Sequence, residues 1–464
     1  MSRSLEPTIY PKKEGGIQRF NTADSNELEE HSLISIGGKS VAPIQQSLWF
    51  RLIGVSLIAI SYGFCNFSGA SMIYVPDTGY AKGMKSGVSG IVTGLSTLST
   101  GVFIFVLPSL VINSMKKEMI TSAMACCVIT NILFAITFYA HPGIYEVLCI
   151  AIQFINGIAN AVIGSLCVSI ACTAFPAYPG RVTGLINFMN GVSLVAPTLI
   201  ATVFYDIGGF VASFLWIAGF QFCVLVGSII FARDYRKHEV DQSKGGIDFG
   251  ALAKFIIQPH TLSLSTCIFM SGTLYGFAAN TLGPHLRNRY NIHNNLVNIY
   301  MSGYTLFMLF TTPVAIIFVE YGYGGFVTLV GGIMSILVNI AWILPSIVSF
   351  LDNQYVILLG LVLMGVQNGM VQLTMYLMYE KLAEEKQAFP MDQVKLVTAA
   401  LDIGIYDIGY FAGTFVFGGF IYQYGKFELP VTLLLACAVI ILLPLLYTLY
   451  KQGFLRKTFY YSEH

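Results

Sequence analysis

Charge is what this chain has least of. Lys and Arg number 25, Asp and Glu 24, together 11% of 464 residues, against 55% hydrophobic residues. The net charge of +1 leaves no basic face for nucleic acid. Missing too is the G-x-x-x-x-G-K-[ST] loop that cradles nucleotide phosphates, so ATP hydrolysis is not expected to drive the chain. No nucleophile–base set stands out, which argues against an enzyme. The nine cysteines all fall inside apolar stretches, and no pair has metal-ligand spacing. With seven scattered histidines, neither a disulfide framework, a metal site nor any other cofactor is expected. No apolar signal segment precedes residue 49.

What is abundant is apolar sequence. Stretches near 49–75, 88–112, 118–140, 144–174, 183–206, 210–232, 261–284, 297–320, 324–348, 354–379, 396–422 and 429–450 are each long enough to cross a membrane. A hydrocarbon core of ~30 Å takes roughly 20 residues of helix. The expected fold is therefore an all-α membrane protein of twelve transmembrane helices, with the lipid bilayer as its solvent. With the amino terminus in the cytoplasm, 20 of the 25 basic residues lie on the cytoplasmic side. Only Lys82, Lys85, Arg287, Arg289 and Lys426 lie on the other. Basic residues concentrate on cytoplasmic ends, so both termini are expected there.

Residues 1–48 are polar and of mixed charge and read as a disordered cytoplasmic tail. Residues 233–260 form the longest charged break and read as a central cytoplasmic linker. It separates an amino-terminal half, 49–232, from a carboxy-terminal half, 261–450, which a short tail, 451–464, follows. The halves echo each other. "YGFCNF" at Tyr62 returns as "YGFAAN" at Tyr275, Asn156-Gly157 as Asn368-Gly369, and "FYDIG" at 204–208 as "IYQYG" at 421–425. Three matches in order at nearly one offset predict two pseudo-symmetric six-helix halves, with a substrate site near the midplane between them.

These motifs resemble the major facilitator superfamily, and within it the drug:proton antiporter and vesicular amine or polyamine branch. "QFINGIANA" (153–161) is similar to that branch's R-x-x-Q-G-x-G-x-A, with Gln153 in the place of Arg and Asn156 in that of Gln. "GVSLVAPTLIATVFYDIGG" (191–209) resembles G-x-x-x-G-P-x-x-G-G, keeping Gly191 and Pro197. Pro76, "AKG" at 81–83, Ser89 and Gly94 resemble a stretch of the polyamine-type members, as does "GGFIYQYGKFE" (418–428). Two departures bear on function. "PSLVINSMKKEM" (108–119) keeps the basic pair of the usual loop after the second span without its acid, and "GFAANTL" (276–282) has Ala279 where those members carry a carboxylate.

Polar residues within the spans fall in stripes. Gln153, Asn156 and Asn160 share one helical face, and Asn368 and Gln372 stand one turn apart. Tyr275 and Asn280 mark the seventh span, Tyr62 and Asn66 the first. The resemblance implies that these four helices line the central cavity, which makes the nine residues candidates for binding solute. Amides that bond between packed helices, at about 1 kcal/mol each, are the alternative.

The eleventh span carries two acids, Asp402 and Asp407. Asp402 shares a face with Gly409 and Gly413, a surface for close packing, about one turn from the cytoplasmic end of the stretch where water is within reach. Asp407 is five residues deeper and ~140° around, on a face with Tyr410 and Thr414. No span supplies a Lys or Arg near its middle to pair with it. Asp407 is then expected to face a water-filled cavity or to take up a proton. Such an acid holds either a proton or a cation, which makes Asp407, and second Asp402, the candidates for proton coupling. In the tail, "EEHSLI" fits an acidic dileucine signal through Glu29, Leu33 and Ile34, which trafficking adaptors would read.

The function expected is secondary active transport of a small organic solute, a cationic amine or drug exchanged for protons. The rivals are a facilitator of neutral or zwitterionic solutes and a non-transporting receptor or scaffold. The location expected is a vesicle or endolysosomal membrane, or the plasma membrane.

Overall fold

The structure is a computed structural model that describes residues 56, 57, 60, 74–110, 116–174, 179–231, 249–292, 294–389, 391–422 and 427–451. Outside them lie the tail 1–48 with Glu29, Leu33 and Ile34, most of the first apolar stretch with Tyr62 and Asn66, residues 233–248 of the linker, and 452–464.

Among the described residues every regular element is a helix. In chain order they are α1 (Tyr74–Ala81), α2 (Ser86–Leu110), α3 (Lys116–Thr137), α4 (Pro142–Ala174), α5 (Pro179–Phe231), α6 (Phe249–Ile257), α7 (Pro259–Tyr290), α8 (Asn294–Glu320), α9 (Gly324–Ile347), α10 (Gln354–Glu385), α11 (Met391–Ala412) and α12 (Glu428–Lys451). A π-helical segment, Gly413–Ile421, continues α11. Ten of these helices are long and apolar enough to cross a membrane. One of them, α5, is two spans end to end. Its helical path breaks at Gly208 and Gly209, where φ is 64° at Gly209. Phe204 stacks on Trp216 across the break, ring centroids 5.6 Å apart, so the two legs fold back on each other. Counting α5 as two, the described residues hold eleven spans of the twelve expected, and most of the first stretch, 49–75, lies outside them.

Packing relies on small residues, because lipid supplies no hydrophobic drive between helices. A Cβ on Gly272 or Gly276 of α7 would strike the carbonyl of Tyr406 or Tyr410. On α11, Gly409 and, just beyond it, Gly413 meet the carbonyls of Phe269 and Thr273 in the same way. Two reciprocal glycine pairs thus bring α7 and α11 into backbone contact. Gly365 and Gly369 do the same for α10 against α8, and Gly157 for α4 against α2.

The two halves meet along α2 with α11 and along α5 with α8. At the first seam Gly90 and Gly94 of α2 close on Thr414, while Gly101 closes on Gly404, where a Cβ would lie 2.8 Å from the carbonyl. Ile104, Leu107 and Ala161 from one half and Ala400 from the other share a buried apolar cluster there.

At the end of the bundle that holds the Gly208–Gly209 turn, each half is tied by one basic side chain. Lys82 donates to the carbonyls of Phe138 and Ala140, both at 2.7 Å, just past α3, and its Nζ lies 4.7 Å from the Tyr145 ring centre. In the other half Arg289 donates to both oxygens of Asp352, at 3.1 and 3.0 Å, to Glu428 at 3.2 Å and to the Pro345 carbonyl near the end of α9. Each cation therefore meets carbonyls at the carboxy-terminal end of a helix, where the helix dipole is negative.

Candidate functional site

The glycine contacts between α7 and α11 decide what faces what near mid-membrane. Because Gly272 and Gly276 sit on the carbonyls of Tyr406 and Tyr410, Tyr275 of α7 reaches the Tyr410 ring, centroid to centroid 5.2 Å and nearly edge-on at 68°. On its other side Tyr275 stacks on Tyr304 of α8 at 4.7 Å and 25°. The Tyr304 hydroxyl accepts from Asn368 Nδ2 of α10 at 2.6 Å, and Ser271 Oγ donates to Asn368 Oδ1. The Tyr406 hydroxyl is a further neighbour of the Tyr304 hydroxyl. Four helices of the carboxy-terminal half thus converge on one aromatic and amide cluster.

Asp407 belongs to it, between Tyr406 and Tyr410 on α11 and within electrostatic reach of both. Asp407, Tyr406, Tyr410 and Tyr275 keep partial exposure, whereas Tyr304 and Asn368 are buried. The buried pair fixes geometry, and the partly open four can touch a solute.

The other candidates fall differently. Asn156 accepts from Thr130 of α3 at 3.2 Å, and Cys127 of the same helix lies 3.6 Å from Asn160 Oδ1. Gln153 is buried at 1% exposure. Asn156 and Asn160 thus each have a polar neighbour on α3, while Asn160 keeps partial exposure. Asn280 is buried as well and donates to the Thr414 carbonyl at 3.2 Å, at the π-helical segment. Gln372 is partly exposed one turn beyond Asn368.

Asp402 lies nearer the helix start than Asp407. α11 begins at Met391, before the apolar span that starts at Val397, so Asp402 stands about three turns into the helix but about one turn into the span. Its Oδ1 is shut from solvent with no hydrogen-bond partner. Its neighbours include Tyr379, whose hydroxyl bonds Ser265 at 2.9 Å, and Asp407. Gly409 and Gly413 pack closely on α7.

Tyr304, Tyr406 and Ser271 were not among the candidates. Tyr406 is adjacent to Asp407 and could have been found from that position. Tyr304 has no such cue, since its partners lie on three other helices.

The Major Facilitator Superfamily model matches residues 52–414. Among solved structures, the crystal structure of the nucleoside transporter NupG superposes on the chain with a TM-score of 0.58 at 14% identity, covering 85% of this chain and 98% of that one. No curated protein matches the chain in sequence.

Proposed function

Because the chain belongs to the Major Facilitator Superfamily and is therefore a membrane transporter, we propose that it moves a small organic cation across its membrane in exchange for protons. One observation supports this above the rest. A carboxylate, Asp407, is set among tyrosine side chains in the carboxy-terminal half and keeps partial exposure. Ring faces attract ammonium groups, by about 0.5–1 kcal/mol at exposed sites and more where water is excluded. A nearby carboxylate adds charge. Tyr275 and Tyr410 would flank the cation and Asp407 would neutralise it.

The same acid provides the coupling. Protonated, it has no charge for the substrate; ionised, it holds the cation. Rocking of the halves about the α2–α11 and α5–α8 seams would expose it to each side in turn. On this reading the protein belongs to the drug:proton antiporter and vesicular amine branch, faces both termini to the cytoplasm and is sorted through Leu33 and Ile34. The boundaries 1–48, 49–232, 233–260, 261–450 and 451–464 are its tail, half, linker, half and tail.

A second reading has its own support. The partly exposed ring of Tyr275, backed by Tyr304, suits a flat neutral solute, and NupG, of the same fold, is a nucleoside transporter. Uptake into proteoliposomes separates the two. Organic amines should accumulate only when the lumen is acid, whereas accumulation of nucleosides without a pH gradient, or counterflow of neutral solutes alone, would sink the cation reading. No counterflow of any solute would leave a receptor or scaffold.

A further inference from the structure

Basic side chains from three helices meet at the end of the bundle opposite the Gly208–Gly209 turn. α7 and α12 run antiparallel, since Arg289 of α7 bonds Glu428 of α12 at one end and Thr448 Oγ1 donates to Ser263 Oγ at 3.1 Å near the other. Three residues further toward that second end stand Lys451 on α12 and His260 on α7. Lys386, which caps α10, donates to Oε1 of Gln258, the residue ahead of α7. His260 lies within electrostatic reach of both lysines. Phe255 of α6, Leu264 of α7, Leu382 of α10 and Leu449 of α12 share one buried apolar cluster, which fixes the four helix ends relative to one another.

A lysine in the last turn of a helix meets the negative end of its own dipole. That accounts for each lysine alone but not for where they converge. Glu384 and Glu385 precede Lys386, yet Glu385 pairs with Lys381 at 3.8 Å, and Lys386 reaches the neutral Gln258 instead. Lys451 Nζ lies 5.6 Å from the Tyr447 ring centre. Among the described residues neither Lys386 nor Lys451 makes an ion pair. What they meet is the amino-terminal end of α7, which is itself positive and has no side-chain cap. His260 Nδ1 and Thr261 Oγ1 stand there without a hydrogen-bond partner, and Thr261 is 1% exposed. Positive charge is thus added to a helix end that is already positive, an arrangement that an anion completes.

The surroundings indicate what carries the anion. Tyr447 and Tyr450 on α12 are 61% and 78% exposed, and tyrosine gathers at the level of the lipid headgroups. α6 buries Leu252 and Phe255 against the bundle and leaves Lys254 and Ile257 outside, Ile257 at 72% exposure. We propose that this end of α7 binds the phosphate of an anionic phospholipid, held by Lys386, Lys451 and His260, with the apolar part of the lipid against Ile257 and Tyr447. Lysine ammonium groups form charge-assisted bonds to phosphate, and basic pockets between spans take such headgroups. A free anion has no use for the exposed apolar neighbours. The site is remote from the tyrosine cluster and serves whichever solute the protein carries.

The test is binding of defined lipids to the intact protein in neutral detergent, read as the rise in melting temperature with lipid concentration. Phosphatidylglycerol should stabilise the protein saturably, whereas phosphatidylcholine, whose headgroup has no net charge, should not. Lys386→Gln and Lys451→Gln should each raise the phosphatidylglycerol concentration needed by about fivefold. Their melting temperatures without lipid should hold, because exposed side chains of this kind contribute little to folding. Lys386→Arg and Lys451→Arg, which keep the charge, should keep the midpoint. Lys85→Gln removes the same charge at the opposite end of the bundle and should also leave it unchanged. An equal loss in Lys85→Gln would mark a general attraction of charge and overturn the site, as would a midpoint unmoved by both lysine-to-glutamine changes. Equal stabilisation by inorganic phosphate at the same concentrations would assign the cluster to a soluble anion and overturn the lipid.

Discussion

Asp407 and Asp402 differ by five residues, and the proposed mechanism needs them to differ in role. Asp407→Asn keeps the size and most of the hydrogen-bonding capacity while removing the titratable group. Uptake driven by a pH gradient should collapse, by tenfold or more on the order of a lost 1.4 kcal/mol interaction. Substrate exchange without a gradient would survive only if the substrate does not need the charge. Asp402→Asn should retain gradient-driven uptake, and the reverse pattern would mean the coupling acid is Asp402. Both variants are to be compared at matched protein amounts. Tyr304→Phe tests the support beneath the site. It leaves Asn368 Nδ2 without its acceptor, and a buried donor left unpaired costs about 1–3 kcal/mol, read as a lower melting temperature. Much of this site was legible in the chain, because Asp407, Tyr275 and Asn368 are polar groups in apolar spans. Tyr304 was not. Tyrosine is amphipathic enough to sit in a span without announcing a role, and only the stacking on Tyr275 and the bond from Asn368 reveal one. The amides of Asn156, Asn160 and Asn280 were equally visible, but their partners on α3 and the π-helical segment were not.

Helices pair here through their glycines, so substitutions there should act on folding before function. Gly272→Val or Gly276→Val would drive a side chain into the Tyr406 or Tyr410 carbonyl, and neither backbone can retreat without parting α7 from α11. Gly143→Ala and Gly303→Ala meet nothing within 4 Å and serve as controls. The yield of monodisperse protein in detergent should fall for the first pair and hold for the second, apart from any small local effect. The Arg289 clamp gives a pH prediction of definite sign. Arg289 and Tyr290 hydrogen-bond the Asp352 carboxylate and hold it below its ordinary value of about 3.9. A depressed carboxylate contributes above its unfolded value and loses that contribution as pH falls through the folded one. The melting-temperature difference between wild type and Asp352→Asn should therefore be constant from pH 7 to pH 5 and shrink only below about pH 4. A difference that vanished near pH 6 would contradict the assignment. Element boundaries were readable where hydropathy and helix coincide, as at the end of the fifth stretch beside Gly208. They failed where a helix outruns the membrane. Residues 391–395, "MDQVK", are too polar to count as span, yet they belong to α11, so the helix starts before the span that begins at Val397.

At the scale of the molecule, helix direction alternates through the bundle, so Lys82, Lys85, Arg287 and Arg289 share one end while Lys254, Lys381, Lys386 and Lys451 share the other. This is the grouping on which the proposed orientation rests. An antibody against a tag at residue 1 should bind only after the plasma membrane is permeabilised, and staining of intact cells would reverse the topology. The double change Leu33→Ala with Ile34→Ala should move protein to the cell surface, and an unchanged distribution would show the "EEHSLI" match to be accidental. The two-half plan was legible from the repeats at 62 and 275 and at 156 and 368. The seams between the halves were not, since Gly90, Gly94 and Gly101 acquire meaning only when Thr414 and Gly404 are seen against them.

The joint at Gly208–Gly209 bears on how such a small membrane particle could be imaged. A fiducial domain or epitope grafted between two spans needs a loop that can be lengthened without disturbing the helices that flank it. Here there is none. Two residues turn the chain, one of them at a positive φ that costs a residue with a Cβ roughly 1–2 kcal/mol. The stacked Phe204 and Trp216 clasp the legs just behind it. An insertion would have to unwind both legs before reaching water, so among the described connections between spans this is one for the microscopist to leave untouched.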